Sequence, residues 1–585
     1  MQRSKLDSLK GGITINTVQN IIAVALGECQ AELVLKNCQV FNVFTGEFKT
    51  GDVAITNGRV AGVGKYSGTS EIDLAGKYVT PGFIDSHVHI ESAMVSPGQF
   101  AAAVVPAGTT TIAADPHEIA NVLGEQGLEY MLAETENIPL NVYIMLPSCV
   151  PATQLENSGA NLKAGELERF IDHPRVLGLG EMMDYPGVLA ARDDIIAKLS
   201  LARGKKVDGH APGLTGKALT AYIAAGIHSD HECMTADEAR ERLEQGMYVM
   251  LRQGSAAKNL LALLPVVNQH TMSRCLLATD DRHPDDLLEQ GHINYLVKLA
   301  AKTGMDIAWV LKMATINAAM YFGLADIGAV APGYRADIVV FDNLYDWKPV
   351  MVFKDGKLAA ENGQPLFKSS AKDGATLRNT VTLAKVKKEK LTIPATSSIA
   401  RVIGLVPGQL VTNLLQLQAP VRKGEFVAEP AEDILKLAVW ERHKGTSQVG
   451  VGLLHGLGLK DGAIASTIAH DSHNLVVAGA NDDDMLLAMQ ELQRIHGGIC
   501  IVCQKKVLGS LSLPIGGLMA DQNIIAIRQE LWQLLQLARK LGIREEYDPF
   551  MTLAFLSLPV IPAVKLTDEG LVDVLSKKLV PVAVE

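Results

Sequence analysis

Apolar and polar positions alternate in short runs at the start of the chain, and the rhythm lengthens near Gly82. Before that point AELVLKNCQVFNV, GDVAITNGRVAGVG and SEIDLAGKYVTPG predict short strands joined by Gly and Asn turns, after a helical N-terminal segment over 1–30. Beyond it, the apolar runs GTTTIAA, LNVYIML, VLGLGEM, KKVDGHA, GIHSD, MYVMLRQ and CLLATDD alternate with helix-patterned stretches. Alternation of strand and helix over this length predicts a parallel α/β structure, sized for a (β/α)8 barrel over 81–325. The helical stretch INYLVKLAAKTGMDIAWVLKMATINAAMYFG closes that series. GAVAPGYRADIVVFDN and MVFKDGKLAAENG then return to short strands, so 31–80 and 326–372 are expected to build one small β domain.

KSSAKDGATLRNTVTLAKVKKEK is charged and poorly patterned, which marks it as a linker. A separate α/β region is expected over 391–585, with strands in GAIASTIAH, LVVAGAN and ICIVCQKKV and helices in DDDMLLAMQELQRIHG and QELWQLLQLARKLG.

Composition narrows the class. Of 585 residues, 48% are hydrophobic and 20% charged, which suits a globular chain with large cores. A formal charge of −10 argues against a nucleic-acid or anionic-membrane surface, and no apolar run is long enough to cross a bilayer. Seven scattered cysteines suggest reduced thiols and a cytoplasmic location. Cys500 and Cys503 form a CxxC, but inside the apolar run GICIVCQKKV, where core thiols are the better reading.

Candidate chemistry begins at FIDSHVHIES. Side chains alternate along a strand, so His87 and His89 face one way and Val88 the other. A parallel barrel carries its reactive groups at the C-terminal ends of its strands, and other runs end in the same kind of residue. VLGLGEM ends in Glu181, KKVDGHA in His210, SDHE supplies His231, and CLLATDD ends in Asp280. Four histidines and two carboxylates exceed the needs of one catalytic zinc with an open position. They suit two divalent metals about 3.5–4 Å apart that share a bridging carboxylate. The expected arrangement has Glu181 as the bridge, His87, His89 and Asp280 on one metal, and His210 and His231 on the other.

With these residues in this order the chain resembles the amidohydrolase superfamily. ESAMVSPGQFA, TTTIAADPHEIANVLG, GLGEMMDYPGV, DGHAPGL, SDHECMTADEA and LATDDRHPDDLLEQGHI resemble, more narrowly, the bacterial adenine deaminase family. The resemblance implies a TIM-like (β/α)8 barrel of amidohydrolase type, a small β-sandwich built from segments before and after it, and an adenine-deaminase-type C-terminal α/β domain. It also implies His87, His89, Glu181, His210, His231 and Asp280 as ligands of a binuclear centre, with Mn2+ foremost and Fe2+ or Zn2+ as alternatives. The implied reaction is hydrolytic deamination of adenine to hypoxanthine and ammonia by a metal-activated hydroxide, in purine salvage. Assembly as a homo-oligomer, dimer or larger, is implied as well. Glu181 stands where dihydroorotase- and hydantoinase-type relatives carry a carboxylated lysine.

Attack at C6 of a purine needs protons moved to ring N1 and to the leaving amine, so acid–base groups beyond the ligands are required. Asp280 and Asp281 are candidates. In ADPHEIA, Glu118 is the expected proton shuttle, with Asp115 and His117 as weaker substrate contacts, although all three also suit helix-start roles. His228 is a candidate for orienting a ligand, while His283 and His292 suit solvated or capping roles. AHDSHN places His470, Asp471, His473 and Asn474 after a strand-like run. That cluster fits closure over the site, substrate contact by His473, a separate metal, or a cap. Two rivals stand beside the main reading: an amidohydrolase acting on another heterocycle or a cyclic amide, and a non-catalytic assembly protein on the same scaffold. A zinc-type nucleic-acid base deaminase is excluded, because it requires P-C-x-x-C and Cys500 follows Ile499.

Overall fold

The computed structural model describes residues 15–369, 377–384, 387–407 and 409–584. The first half of the N-terminal helical segment, residues 370–372 of the small β domain, and parts of the linker lie outside the described residues; the remainder of that segment forms the helix Ile15–Ala25.

Five strands come first: Ala31–Asn42 (β1), Glu47–Thr56 (β2), Arg59–Gly64 (β3), Gly68–Asp73 (β4) and Tyr78–Pro81 (β5). β1 pairs antiparallel with β2 along its length, and on its other edge runs parallel first to β4 and then to β5. Four later strands, Ile338–Phe341, Pro349–Lys354, Lys357–Glu361 and Gln364–Pro365, extend from β5 to complete a nine-stranded sheet. Chain ends some 250 residues apart in sequence thus share one small core, where Val40, Val79, Ile338 and Phe353 meet.

The parallel series lies between these segments. Phe83–His89 (β6), Thr109–Ala114 (β7), Asn141–Leu146 (β8), Val176–Met182 (β9) and Lys206–Gly209 (β10) form a parallel sheet in that order. Ser229–Asp230 (β11), Tyr248–Arg252 (β12) and Cys275–Ala278 (β13) form a second parallel sheet. Every residue of β6 and β7 is buried, as expected for parallel strands covered on both faces. The two sheets meet at both ends. After β13 the backbone breaks at Thr279 and resumes as Asp280–Asp281 (β14), which pairs with Val88 and His89 of β6. At the other end the His228 amide donates to the Val207 carbonyl.

The C-terminal region holds an eight-stranded sheet, antiparallel except where Ile399–Leu405 runs parallel to Val449–His455. Its strands include the three expected from sequence, at Ala463–Ser466, Leu475–Gly479 and Gly498–Cys503. Ile434–Trp440 was not among the expected strands. Lys436 interrupts its apolar run, yet it is buried because its ammonium donates to the Leu391 carbonyl and the Asp482 carboxylate, each at 2.9 Å. Cys500 and Cys503 are free buried thiols, as are four of the other five cysteines, with Cys29 exposed. No helix among the described residues is long and apolar enough to cross a membrane.

Candidate functional site

Strands β6, β9, β10 and β11 and the turn into β14 bring their terminal side chains to one place. His87 and His89 share a face, with their Nε2 atoms 3.1 Å apart. Glu181, near the end of β9, lies between two imidazole pairs. Its Oε1 is 3.5 Å from His87 Nε2 and 3.2 Å from His89 Nε2. Its Oε2 is 2.6 Å from His210 Nδ1 and 3.3 Å from His231 Nε2. Each oxygen therefore serves one pair. The donor atoms of His87, His89 and Glu181 lie within 4.8 Å of one another, as do those of Glu181, His210 and His231. Asp280 adds Oδ1 at 3.1 Å from His89 Nε2 and 3.8 Å from His87 Nε2.

The donor set passes a chemical test for divalent ions. His89 Nδ1 lies 2.9 Å from the Asp115 carbonyl, which can only accept, so Nδ1 carries the proton and Nε2 turns its lone pair inward. Burial opposes a charge on Glu181, but the surrounding imidazoles, His231 foremost, hold its carboxyl well below the usual range. Burial likewise opposes a charge on His210, and Glu232 and Glu181 overcome it, carrying the imidazole up to about 9. The negative oxygens attract a divalent cation, and binding one would displace the proton that His210 carries in the metal-free site and free a lone pair to ligate.

Asp280 has a further partner on its other oxygen. Arg252 Nη1 is 2.7 Å from Oδ2 and also contacts Glu232, so one guanidinium holds the buried Asp280 and the half-buried Glu232. Neither Arg252 nor Glu232 was among the sequence candidates. Arg252 ends β12 and Glu232 follows His231, so the strand-end rule that singled out the candidate ligands reaches both.

A second group adjoins the first. The short helix His117–Leu123 starts directly after Pro116 and carries His117 and Glu118 on its first turn. His117 Nδ1 is 3.3 Å from Glu181 Oε1, and its Nε2 is 3.3 Å from Glu118 Oε1, so this ring links the two groups. On its far side Glu118 meets the C-terminal domain. His470 Nδ1 is 2.7 Å from Oε1, and His473 Nε2 contacts Oε2. Burial would raise the Glu118 carboxyl, but these imidazoles and His117 hold it well below the usual range. His470 is carried up to about 9 against burial by Glu118, whereas burial takes His473 down to about 4. Glu91, which lines the crevice beside Glu118, is pushed up to about 7 by burial with the Glu118 charge adding.

Two sequence candidates are displaced. His228 is exposed, precedes β11 rather than following it, and accepts from the Val207 amide at 3.3 Å, at the strands' N-terminal ends. The expectation that it orients a ligand is therefore corrected: the turn before a parallel strand faces away from the site. Asp115 is buried, and its Oδ2 accepts from the Glu181 amide at 3.0 Å, so the carboxylate fixes the ligand's backbone rather than a substrate. Gly180 permits this approach, since a Cβ there would lie 1.9 Å from that oxygen. Asp281 takes a hydrogen bond from Ser92 and lies at the edge of the crevices lined by His283 and His470. His283 sits at the start of the helix Pro284–Glu289. His292 is a core residue held by Thr109 and Asp85.

A cavity of about 430 Å³ opens at the C-terminal ends of β8 and β9, lined in part by Ser148, Cys149, Met183, Tyr185 and Ala190. Cys149 also belongs, with His117 and Asp471, to a cluster of buried donor atoms, so the cavity reaches toward the Glu118 group.

Parallel sheets with imidazoles and carboxylates gathered at their strand ends fit a hydrolase of amidohydrolase type. Residues 78–359 match the Amidohydrolase family, and residues 409–578 match the Adenine deaminase C-terminal domain. The chain is 61% identical over 566 residues to adenine deaminase 2 of Carboxydothermus hydrogenoformans, covering 97% of this chain and 99% of that protein. It is 46% identical over 565 residues to adenine deaminase of Clostridium acetobutylicum, covering 96% and 99%. The solved structure of enamidase, titled a member of the amidohydrolase superfamily, is similar at a TM-score of 0.45 and 17% identity, over 57% of this chain and 97% of that one. The chain belongs to the adenine deaminase family. Membership implies divalent metal ions, for which the His, Glu and Asp groups above are the candidate ligands.

Proposed function

We propose that this chain hydrolyses a carbon–nitrogen bond of adenine: water adds at C6, ammonia leaves, and hypoxanthine is formed. The observation that carries this is Glu181, which offers one oxygen to each imidazole pair in a chain 61% identical over nearly its whole length to adenine deaminase 2 of Carboxydothermus hydrogenoformans. On this reading His87, His89 and Asp280 would hold one divalent ion, His210 and His231 would hold a second, and Glu181 would serve both. Such ions make hydroxide available at neutral pH. Mixed imidazole and carboxylate donors admit manganese, ferrous iron or zinc, and the resemblance to adenine deaminases is the ground for putting manganese first.

Two protons must then move. One passes from water to ring N1, the other from the new C6 hydroxyl to the departing amine. We assign the first to Glu118, which is ionised at rest among three imidazoles and so takes a proton before passing it on. The second falls to Asp280, whose Oδ2 is tied to Arg252 while Oδ1 faces the histidines. His117 stands between these groups and, with the cavity beside Cys149, marks the side from which adenine approaches.

The architecture supports the same reading. β6 to β13 are taken as the eight strands of one closed (β/α)8 barrel, since β14 joins the two parallel sheets on one side and His228 joins them on the other. The nine-stranded sheet is taken as a β-sandwich that doubles back along β1. Units at 31–80 with 326–372, at 81–325 and at 391–585 follow. A cytoplasmic homo-oligomer, dimer or larger, completes the proposal.

The test is ammonia release from adenine by protein stripped of metal and reloaded with Mn2+, with adenosine and cytosine in parallel. Release from adenine alone, lost without metal, is expected. Two bound metals without release would turn attention to cyclic amides.

A further inference from the structure

The C-terminal domain meets Glu118 through the loop Ala469 to Asn474, and that loop is held from several directions. The Arg442 guanidinium is fully buried and donates to the carbonyls of His473, Gly516 and Thr380. Gly517 leaves room for it, since a Cβ there would lie 2.8 Å from Nη1. Asn474 donates to the Asn157 carbonyl at 2.7 Å, and the His443 ring meets the Ser472 carbonyl at 2.8 Å. The His470 ring stacks on Phe555 at 4.3 Å, and its backbone amide donates to the Ala554 carbonyl.

All this fixes two imidazoles against one carboxylate. Glu118, His470 and His473 place donor atoms within 4.8 Å of one another, a spacing that also fits a metal ion. The hydrogen bonding argues against a metal. The Ala469 amide donates to His473 Nδ1 at 3.1 Å, so that nitrogen holds a lone pair and the proton of the neutral ring sits on Nε2. Nε2 faces Glu118 Oε2 as a donor, and a ligand there would need a second lone pair. His470 Nδ1 faces Oε1 in the same sense.

We propose that His470 and His473 are positioning residues that hold the Glu118 carboxylate in the orientation used for proton transfer, making the C-terminal domain a working part of the active site. Neither ring needs to touch adenine. Their task is to keep both Glu118 oxygens from rotating away while His117 keeps the link to Glu181. This rests on the adenine deaminase reading and on Glu118 as the shuttle.

The test compares His470→Leu, His470→Gln, His473→Leu and His473→Gln in the full chain loaded with Mn2+, following ammonia release from adenine, metal content and thermal unfolding. Each Leu variant is expected to lose about tenfold to a hundredfold in kcat, with KM within about twofold and metal content unchanged. His470→Gln restores an N–H donor and should recover most of the loss. Unchanged kcat in the Leu variants, or equal losses in the Leu and Gln forms that track thermal stability, would overturn the positioning role. A third metal equivalent in wild type that disappears in His473→Leu would overturn it in favour of a metal site. Wild-type protein inactive on adenine would sink the underlying reading instead, whereas active wild type with unaffected variants would sink only this inference.

Discussion

Arg252 Nη1 lies 2.7 Å from Oδ2 of Asp280, and the same guanidinium contacts Glu232 on the neighbouring turn. Burial alone would raise the Asp280 carboxyl, yet Arg252 and His89 hold it well below the usual range. Removing the cation leaves the buried Asp280 and the half-buried Glu232 without their partner. Arg252→Met should therefore cost about 3–5 kcal/mol of stability in metal-free protein, read from urea unfolding. A variant as stable as wild type would show that the pair contributes nothing to folding.

Glu181→Gln keeps the side-chain volume and removes the charge that serves both imidazole pairs. Metal content should fall below two ions per chain, and adenine turnover should fall by at least about a hundredfold. Metal analysis and ammonia release on the same preparation check both.

His228 lies at the N-terminal ends of the strands and is exposed. His228→Asn should leave kcat/KM within about twofold of wild type. A large loss would return this residue to the mechanism.

The exposed Ala190 lines the cavity at the end of β9. If adenine enters there, Ala190→Trp should raise KM by about tenfold while kcat and metal content hold. An unchanged KM would place the approach elsewhere.

His470 ties stability to pH. Burial and its neighbours Glu118, Asp281 and Asp471 set its pKa at about 9 in the folded protein, against 6.5 for the ordinary imidazole. A raised pKa means that the folded state binds the proton more tightly. The contribution is complete below about pH 6.5 and is lost as pH rises through about 9. The stability gap between wild type and His470→Gln should be larger at about pH 6 than at about pH 10, as measured by urea midpoints. Equal gaps would mean that the ring carries no extra charge in the fold.

Much of the site was legible along the chain because parallel strands place reactive groups at their C-terminal ends. His87, His89, Glu181, His210, His231 and Asp280 each fell at the end of a readable apolar run or just after one, and the structure brings all six together. His228 misled because a short strand such as Ser229–Asp230 gives little signal of which flank is its exit. Asp115 misled because whether a carboxylate faces a substrate or a backbone amide depends on the adjacent strand, here on the missing Cβ of Gly180. In the C-terminal sheet, Lys436 hid a buried strand whose ammonium finds partners far away in sequence.

The sequence by itself determined the alternation of strands and helices and the residue types at the strand ends, because both follow from local periodicity and residue chemistry. Tertiary structure alone decided that Arg252 joins Asp280 to Glu232, that His117 links Glu181 to Glu118, and that His470 and His473 meet Glu118 from more than 350 positions away. Those contacts join segments that no local pattern couples. Which oxygen, nitrogen or proton each group presents is fixed only when the backbones behind them are packed.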